Sequence, residues 1–368
     1  MGLFERLPRI ERTKKHKLLD ILAISICAVI TGAEGWEEME DFGKAHREWF
    51  KSFLELPNGI PSHDTFARVF MLLSPSEFEA ATLEWLNQAK KLLAETIIAI
   101  DGKALRGSAR KQKDLGALHI VNVWSCSNQM VLGQIKVADK SNEITAVPEI
   151  LKKLFLKGAT VTLDAMGCQE DTIKDIVNAG ADYLVSLKGN QGQLHDAVQD
   201  SFKLADAGVI PVQSHTYEDK PDKKHGRTEE RKVQVLESKD FNVLIDPRWV
   251  NLNSIVRLTY NRYESGKHIT DTRYYISSLA PTKPDKIMEA SRCHWGVENK
   301  LHWSLDVTFD EDSCRIREEN AAVNFSWLRK LALGLLKRET TFTRGSIRRK
   351  QRRAVTDISY LMAVITGN

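Results

Sequence analysis

With 368 residues, 28% of them charged, 42% apolar and a net charge of +4, the chain is long enough for two or three domains and ordinary for a soluble globular protein. The overall charge is only a weak pointer to an anionic partner. Five widely spaced cysteines without a C-x-x-C pair fit a reducing compartment and argue against a disulfide frame or a cysteine-rich zinc module.

The first 90 residues read as all-helical. The apolar run Leu18 to Ile30 follows a basic lead that ends in Lys17. Asp20 interrupts it, and it is too short to span a bilayer, so it reads as a buried helix and not as a signal peptide. Gly32 and Gly35 punctuate. Trp36 to His46 and Trp49 to Leu56 are the next helices, and Leu56 to Ser62, with two prolines and a glycine, is a turn. Ser62 is placed to cap a helix His63–Leu73, and Ser74-Pro75-Ser76 to cap Glu77–Leu93. Short helices with tight turns suit a helix-turn-helix reader with Ser62, His63, Asp64, Thr65 and Arg68 on its face. A plain helical packing domain suits them equally, because the candidate reading helix carries little positive charge.

The pattern then switches. Thr96 to Ile100 is an apolar strand ending in Asp101-Gly102-Lys103. Ala117–Cys126 and Met130–Ala138 are two more strands around a short turn. Ala146–Phe155 reads as a helix, Ala159–Ala165 as a buried strand ending in Asp164, Asp171–Ala179 as a helix and Tyr183–Leu187 as a strand. This order predicts a mixed sheet with helices upon it, an α/β layer. Asp101 and Asp164 close apolar strands at their carboxyl ends, where such sheets tend to bind ligands. From about Val212 to Leu279, strand-like segments alternate with polar turns, as a β-rich insertion. The stretch from Arg292 through Trp303 reads as a helix with Trp295, Glu298, His302 and Leu305 on one face, which would leave Glu298 partly buried and in need of a partner. Ala321–Lys337 follows as an amphipathic helix, and then a basic cluster that includes Arg344, Arg348, Arg349, Lys350, Arg352 and Arg353. No other segment is long and apolar enough to cross a membrane, so a cytoplasmic protein is expected.

Three carboxylates, two on strands and one on a helix, suit two hard divalent ions. These would activate an attacking oxygen and stabilise a leaving one in phosphoryl transfer on nucleic acid. An aspartate that ends a strand is often only a turn residue, but the three together with the intervening pattern weigh much more. His294, Glu298 and His302 are spaced i, i+4, i+8 and lack the H-E-x-x-H spacing of a zinc site. Lys188, Asn190 and Gln191, just after a strand, are placed either to touch a phosphate or base or to form a solvated loop. Trp249 is placed either to stack on a flipped base or to fill a core. The carboxyl-terminal cluster would neutralise phosphates.

Asp101-Gly102-Lys103, Leu163-Asp164-Ala165, His294-Trp295 with Glu298-Asn299, and His302 to Val307 resemble bacterial insertion-sequence transposases of the DDE superfamily, in the H-repeat-associated (ISAs1-type) branch. The likeness includes Leu56 to Phe66 and Leu187 to Gln191 and covers nearly the whole chain. It implies a ribonuclease-H-like mixed sheet with a helical amino-terminal domain and a β-rich insertion. It implies Asp101, Asp164 and Glu298 as a catalytic triad for two Mg2+ or Mn2+ ions, acting on the inverted-repeat ends of its own element and on target DNA. The expected divisions are a helical domain at 1–93, a catalytic core at 94–205 and 283–340, an insertion at 206–282 and a basic segment at 341–368. DNA contacts are expected from Lys103, Arg106, Lys188, Asn190, Gln191, Arg292, His302, Arg315, Arg317, Arg348 and Arg349, and a homo-oligomer on DNA, nucleoid-associated in a bacterial cytoplasm. Relatives carry tyrosine, arginine and lysine at fixed offsets around the glutamate. Here Ser291, His294 and Leu305 stand there, which shifts that work to Arg292, His302, Arg315 or Arg317. The other readings are a DNA-binding protein of transposase descent that no longer cuts, and a nuclease that cuts without joining strands.

Overall fold

The computed structural model describes residues 15–90, 97–109, 116–137, 143–154, 156–224 and 226–366. The expected element ends at 91–93, 96, 138 and 155 lie outside them. Five helices lead: α1 (Leu18–Thr31), α2 (Trp36–Ala45), α3 (Arg47–Lys51), α4 (His63–Leu72) and α5 (Pro75–Lys90). The middle of the chain holds β1 (Ile97–Leu105), β2 (Leu118–Ser125), β3 (Met130–Val137), α6 (Glu143–Leu151), β4 (Thr160–Leu163), α7 (Glu170–Asn178), β5 (Asp182–Leu187) and α8 (Gly192–Asp206). Next come β6 (His215–Glu218), β7 (Asp222–Lys224), β8 (Arg227–Glu237), β9 (Ser254–Glu264) and β10 (Lys267–Ser277). The chain closes with α9 (Pro284–Gly296), a π-helical turn at Val297–His302, α10 (Trp303–Thr308), α11 (Glu319–Arg338), α12 (Ile347–Thr356) and α13 (Ile358–Thr366). Among the described residues no single helix is long and apolar enough to cross a membrane.

The chain divides into two compact units, and β1 passes from one into the other. The first comprises residues 1–94, 102–140 and 298–368. Its spine is α11, which is buried on all sides from Ala321 to Leu336, including Arg329 and Lys330. The amphipathic pattern expected there is absent because the helix is packed by α1, α4, α5, α12, α13 and β3 together. Its polar side chains are spent on these neighbours. Asn324 donates to the carbonyls of Phe70 and Leu73 at 2.9 Å each, closing the end of α4. Trp327 Nε1 donates to Thr82 Oγ1 at 2.7 Å. The start of α4 is satisfied by an acceptor from another helix. Ser62 makes no side-chain cap, and instead the Glu40 carboxylate of α2 accepts from His63 N at 2.7 Å. β2 and β3 form an antiparallel pair, and the order here is β3-β2-β1.

The second unit comprises residues 95–101 and 141–297, with strand order β1-β4-β5-β10-β9-β8-β6 and β7 paired to β8. β1, β4 and β5 are parallel, and their near-continuous apolar runs match a sheet covered on both faces. With the antiparallel β2–β3 pair, this is a ribonuclease-H-like mixed sheet. The β-rich insertion extends the same sheet: β10 pairs antiparallel with β5, and β9 and β8 follow. The 15-residue helix α8 had no counterpart in the sequence reading. It buries Leu194, Val198 and Phe202, and the Phe202 ring meets Tyr274 of β10 at 5.9 Å.

Candidate active site

The register of β1 on β4 decides where the two aspartates fall. Ile97 pairs with Thr160 and Ile100 with Leu163, so Asp101 and Asp164 are the next residues in step, side by side where the parallel pairing of the two strands stops. Asp164 follows the last residue of β4, whereas Asp101 lies inside β1, which runs on to Leu105 and does not end at the aspartate as its apolar run suggests. Strand spacing puts such backbones about 5 Å apart. Both side chains are only part-buried in an otherwise closed apolar layer.

Asp164 is held before any ligand arrives. Its Oδ1 accepts from Met166 N at 3.0 Å and Gly167 N at 3.2 Å, and the carboxylate caps a single 3-10 turn at Ala165–Gly167. A second strand end braces that turn. Asn190 Nδ2 donates to the Ala165 carbonyl at 2.6 Å and Gln191 Nε2 to the Cys168 carbonyl at 2.8 Å. These two side chains spend amide hydrogens on the backbone that carries Asp164. Lys188, at the end of β5, is exposed.

Beneath this edge, His294 of α9 shares a proton with Thr162 Oγ1 of β4 at 3.2 Å. Burial pushes its imidazole down to about 4; the Asp164 carboxylate opposes the fall, and Arg273 and Lys188 add to it. The ring is therefore neutral near pH 7. α9 is clamped by the insertion sheet: Arg273 lies over the Trp295 ring at 4.5 Å, and Tyr260 meets it edge-on at 5.9 Å. Arg292 is exposed and pairs with Asp219 at 2.7 Å. Trp249 is 3% exposed, and so fills the core.

In the other unit, Glu298 differs from its expected setting. A π-helical turn, not continuous α-helix, runs from Val297 to His302. Its i→i+5 pitch breaks the 3.6-residue phase, so Glu298 is exposed while Leu305 is fully buried. A π-turn of this kind is frequent at functional sites. Neither Ser291, bonded to the Met288 carbonyl at 2.8 Å, nor Leu305, nor the neutral His294 supplies a cation near the glutamate.

Lys103 is drawn inward. Its side chain is 8% exposed, and Nζ lies 2.6 Å from Asp306, 3.0 Å from Glu311 and 3.5 Å from Asp312. Burial lowers its pKa, but these carboxylates outweigh that and leave it raised. Glu311 is fully buried and accepts from Ser326 Oγ at 2.8 Å. Burial raises its pKa, but Lys103, Lys330 and Arg329 together bring it below its ordinary value. Arg106 remains exposed, 3.5 Å from Asp312. His302 is part-buried, and Arg315 and Arg317 are exposed on the link before α11. Arg348 donates to the Val307 carbonyl at 2.8 Å, and Arg349 lies over the Phe342 ring at 5.0 Å.

The residues divide accordingly. One unit joins Asp101, Asp164, Lys188, Asn190 and Gln191 at one sheet edge, with Arg292 on the helix behind. The other holds Glu298 and the remaining basic candidates. Among the described residues no three His, Cys, Asp or Glu side chains converge as a ready metal cage. Magnesium does not require one, because it keeps several waters and takes one or two carboxylates plus substrate phosphates. The Asp101–Asp164 pair, all oxygen donors, fits that demand.

The family model described as transposase DDE domain matches residues 93–335, and the model described as DDE_Tnp_1-associated matches residues 4–86. "H repeat-associated putative transposase YhhI" of Escherichia coli K12 is 42% identical over 358 residues, which is 96% of this chain and 93% of that one. "Putative transposase YncI" of Escherichia coli O157:H7 is 40% identical over 356 residues, 96% of this chain and 90% of that one. Among solved structures, the piggyBac transposase synaptic complex with hairpin DNA is similar at a TM-score of 0.40 and 11% identity, over 99% of this chain and 77% of that one.

Proposed function

Because the chain belongs to the DDE transposase family, we propose that it cuts DNA at the ends of its own element and joins the freed strand to target DNA. The observation that carries this reading is the matched register of Asp101 and Asp164, each one step past the last paired residues of the parallel strands β1 and β4. In the proposal these two and Glu298 bind two Mg2+ or Mn2+ ions. When bound, the ions would lower the pKa of an attacking water and neutralise the leaving oxygen.

The chain's own residues do the positioning. The Met166 and Gly167 amides fix one Asp164 oxygen, and Asn190 and Gln191 fix the turn that presents it. Lys188 is exposed at the neighbouring strand end, where an incoming phosphate would meet its charge. The carboxylates act as ligands and not as nucleophiles, so the water makes the nick and the new 3′-hydroxyl makes the second attack. No covalent protein–DNA link is formed, as one would be with a Ser or Tyr nucleophile. Two ends must be held together for joining, so the working form is a homo-oligomer on DNA, in the bacterial cytoplasm at the nucleoid.

The test is cleavage of labelled DNA that carries the element's own ends, in magnesium and in manganese, beside Asp164→Asn and Glu298→Gln. Metal-dependent nicking at the boundary, lost in both variants with end binding retained, is the expected result. Nicking that survives either substitution removes that residue from the site. Binding of the ends without cutting under either metal leaves a DNA-binding protein of transposase descent.

A further inference from the structure

Of the eight tryptophans, Trp303 is the exposed one, at 59%; the other seven are buried or part-buried. Its ring enters no stacking or cation–π contact among the described residues. A single exposed aromatic needs no explanation in itself. Its company gives it meaning. Trp303 follows Glu298 by five residues, the i→i+5 step of the π-turn, so the two are one turn apart on the same segment. Val307, four residues further along α10, is 46% exposed, which makes a short open apolar stripe.

α12 is bound to that stripe. The Val307 carbonyl is among the last of α10, where no intrahelical donor remains, and Arg348 Nη2 supplies one at 2.8 Å. α12 has no acidic residue and carries Arg348, Arg349, Arg352 and Arg353 exposed. At 100° per residue these four occupy an arc of about 140°. The buried cation of the helix, Lys350, is consumed by the Leu336 and Glu339 carbonyls at 2.8 and 2.9 Å and by the Glu339 carboxylate at 3.2 Å. It anchors the helix and leaves the arginines to the surface. Two of these are stiffened by stacking: Arg349 and Arg353 over Phe342 at 5.0 and 5.2 Å, and Arg353 over Tyr360 at 4.6 Å. Arg353 also has Asp357 at 3.7 Å.

An open indole on a helix that Arg348 ties to a one-sign row of guanidiniums matches nucleic acid with an exposed base face: stacking holds the base, and the arginines hold the backbone. Intact duplex offers only the phosphates. We propose that the α10–α12 face holds an unpaired nucleotide of the DNA at or beside the strand end being processed, with its base on Trp303 and its flanking phosphates on Arg349 and Arg352. This deepens the function proposed above and rests on it for the choice of DNA as ligand.

The test needs neither metal nor cleavage. Two labelled oligonucleotides are compared by anisotropy, a blunt duplex and the same duplex with a short single-stranded tail carrying 2-aminopurine. The proteins are the full chain, Trp303→Ala, Trp303→Phe and the double variant Arg349→Ala/Arg352→Ala. A base stacked on an aromatic is worth about 1–3 kcal/mol, or roughly 5- to 140-fold in affinity. The full chain is expected to prefer the tailed DNA by that factor and to quench the 2-aminopurine. Trp303→Ala loses both preference and quenching and holds blunt duplex within about twofold, Trp303→Phe retains part of each, and the arginine variant weakens both DNAs and lowers the salt slope by about two. An unchanged melting midpoint shows that the variants fold. Quenching and preference that survive in Trp303→Ala overturn the inference. Tight binding of both DNAs with no preference in the full chain also overturns it and leaves the cleavage reading standing. If the full chain binds neither DNA, both proposals fail, whereas Asp164→Asn that quenches normally but does not nick separates the two sites.

Discussion

Lys103 reads as a DNA-contacting cation in sequence and sits in the structure as the hub of an ion cluster; the two roles predict different outcomes for Lys103→Met. Its side chain is 8% exposed and that of Glu311 only 1%. Asp306 and Asp312 keep 32% and 28% of their side-chain surface, so solvent screens them and each contributes under about 1 kcal/mol. The loss is therefore concentrated on Glu311, which keeps its buried charge with Lys330 and Arg329 as the remaining cations. Breaking a buried pair from one side costs about 3–5 kcal/mol. For a folding unit of about 150–250 residues, each kcal/mol moves the midpoint by about 2–4 °C, so the expected fall is roughly 6–20 °C. Removing both charges, as Lys103→Met with Glu311→Leu, relieves the stranded carboxylate and recovers a large part of that loss. The assay is thermal melting of the four proteins, with DNA binding between 50 and 200 mM salt alongside. If Lys103 neutralised a phosphate instead, the salt slope would fall by about 0.9 while the midpoint held. A midpoint within 2 °C of the parent, or a reduced salt slope, would refute the structural role.

Asn190→Ala and Gln191→Ala each delete one brace of the Asp164 turn, at about 1 kcal/mol apiece. Cleavage of the element ends should slow several-fold, with DNA affinity and its salt slope unchanged; a weakened affinity at constant turnover would make these residues DNA contacts. His294 is neutral in the folded chain and pushed down to about 4, while in the unfolded chain it titrates near 6.5. Its linkage contribution is therefore absent above about pH 6.5 and destabilising as pH falls from there toward 4, reaching roughly 3 kcal/mol. His294→Gln should flatten the pH dependence of urea midpoints in that window, and an unaltered slope would show that the ring is not held neutral.

Much of the architecture was legible because local pattern and tertiary packing agree. Apolar runs such as Ile97–Ile100 and Thr160–Leu163 have little choice but a doubly covered strand, and they are strands. Two of the misses share one cause, which is that partners from distant sequence override the local signal. Ser62 is an apt cap, yet Glu40 from α2 takes the amide. The α11 sequence carries Arg329 and Lys330 like a surface helix, yet both are 2% exposed because Glu311 and Gln134 arrive from elsewhere to meet them, while Phe325 of the same helix lies under the Arg329 guanidinium. α8 begins at a glycine after a turn and is rich in Asp and Gln, so only its apolar residues at 194, 198 and 202 betray a buried stripe. The turn 297–302 is a matter of pitch: nothing in its residue types announces one extra residue per turn, although that residue turns Glu298 outward.

The same logic explains which site residues sequence can name. The two aspartates are identifiable because each follows an apolar run, a one-dimensional feature, although β1 continues past Asp101 to Leu105. The supporting side chains are not, because a lysine, an asparagine or a tryptophan is polar, braced or stacked only with respect to what faces it. Residue type places Lys103 and Asn190 in one class, basic or amide groups near a strand end. The structure separates them into an ion-pair hub and a loop brace. Residue type likewise treats Trp249 and Trp303 alike, and burial of 3% against 59% exposure reverses which of them is available to a base. It follows that substitutions chosen from charge alone would test folding at Lys103 and turn geometry at Asn190, whereas Arg349, Arg352 and Trp303, exposed on a helix pair pinned by Arg348, are the positions where the proposed DNA contact can be tested without breaking a buried pair.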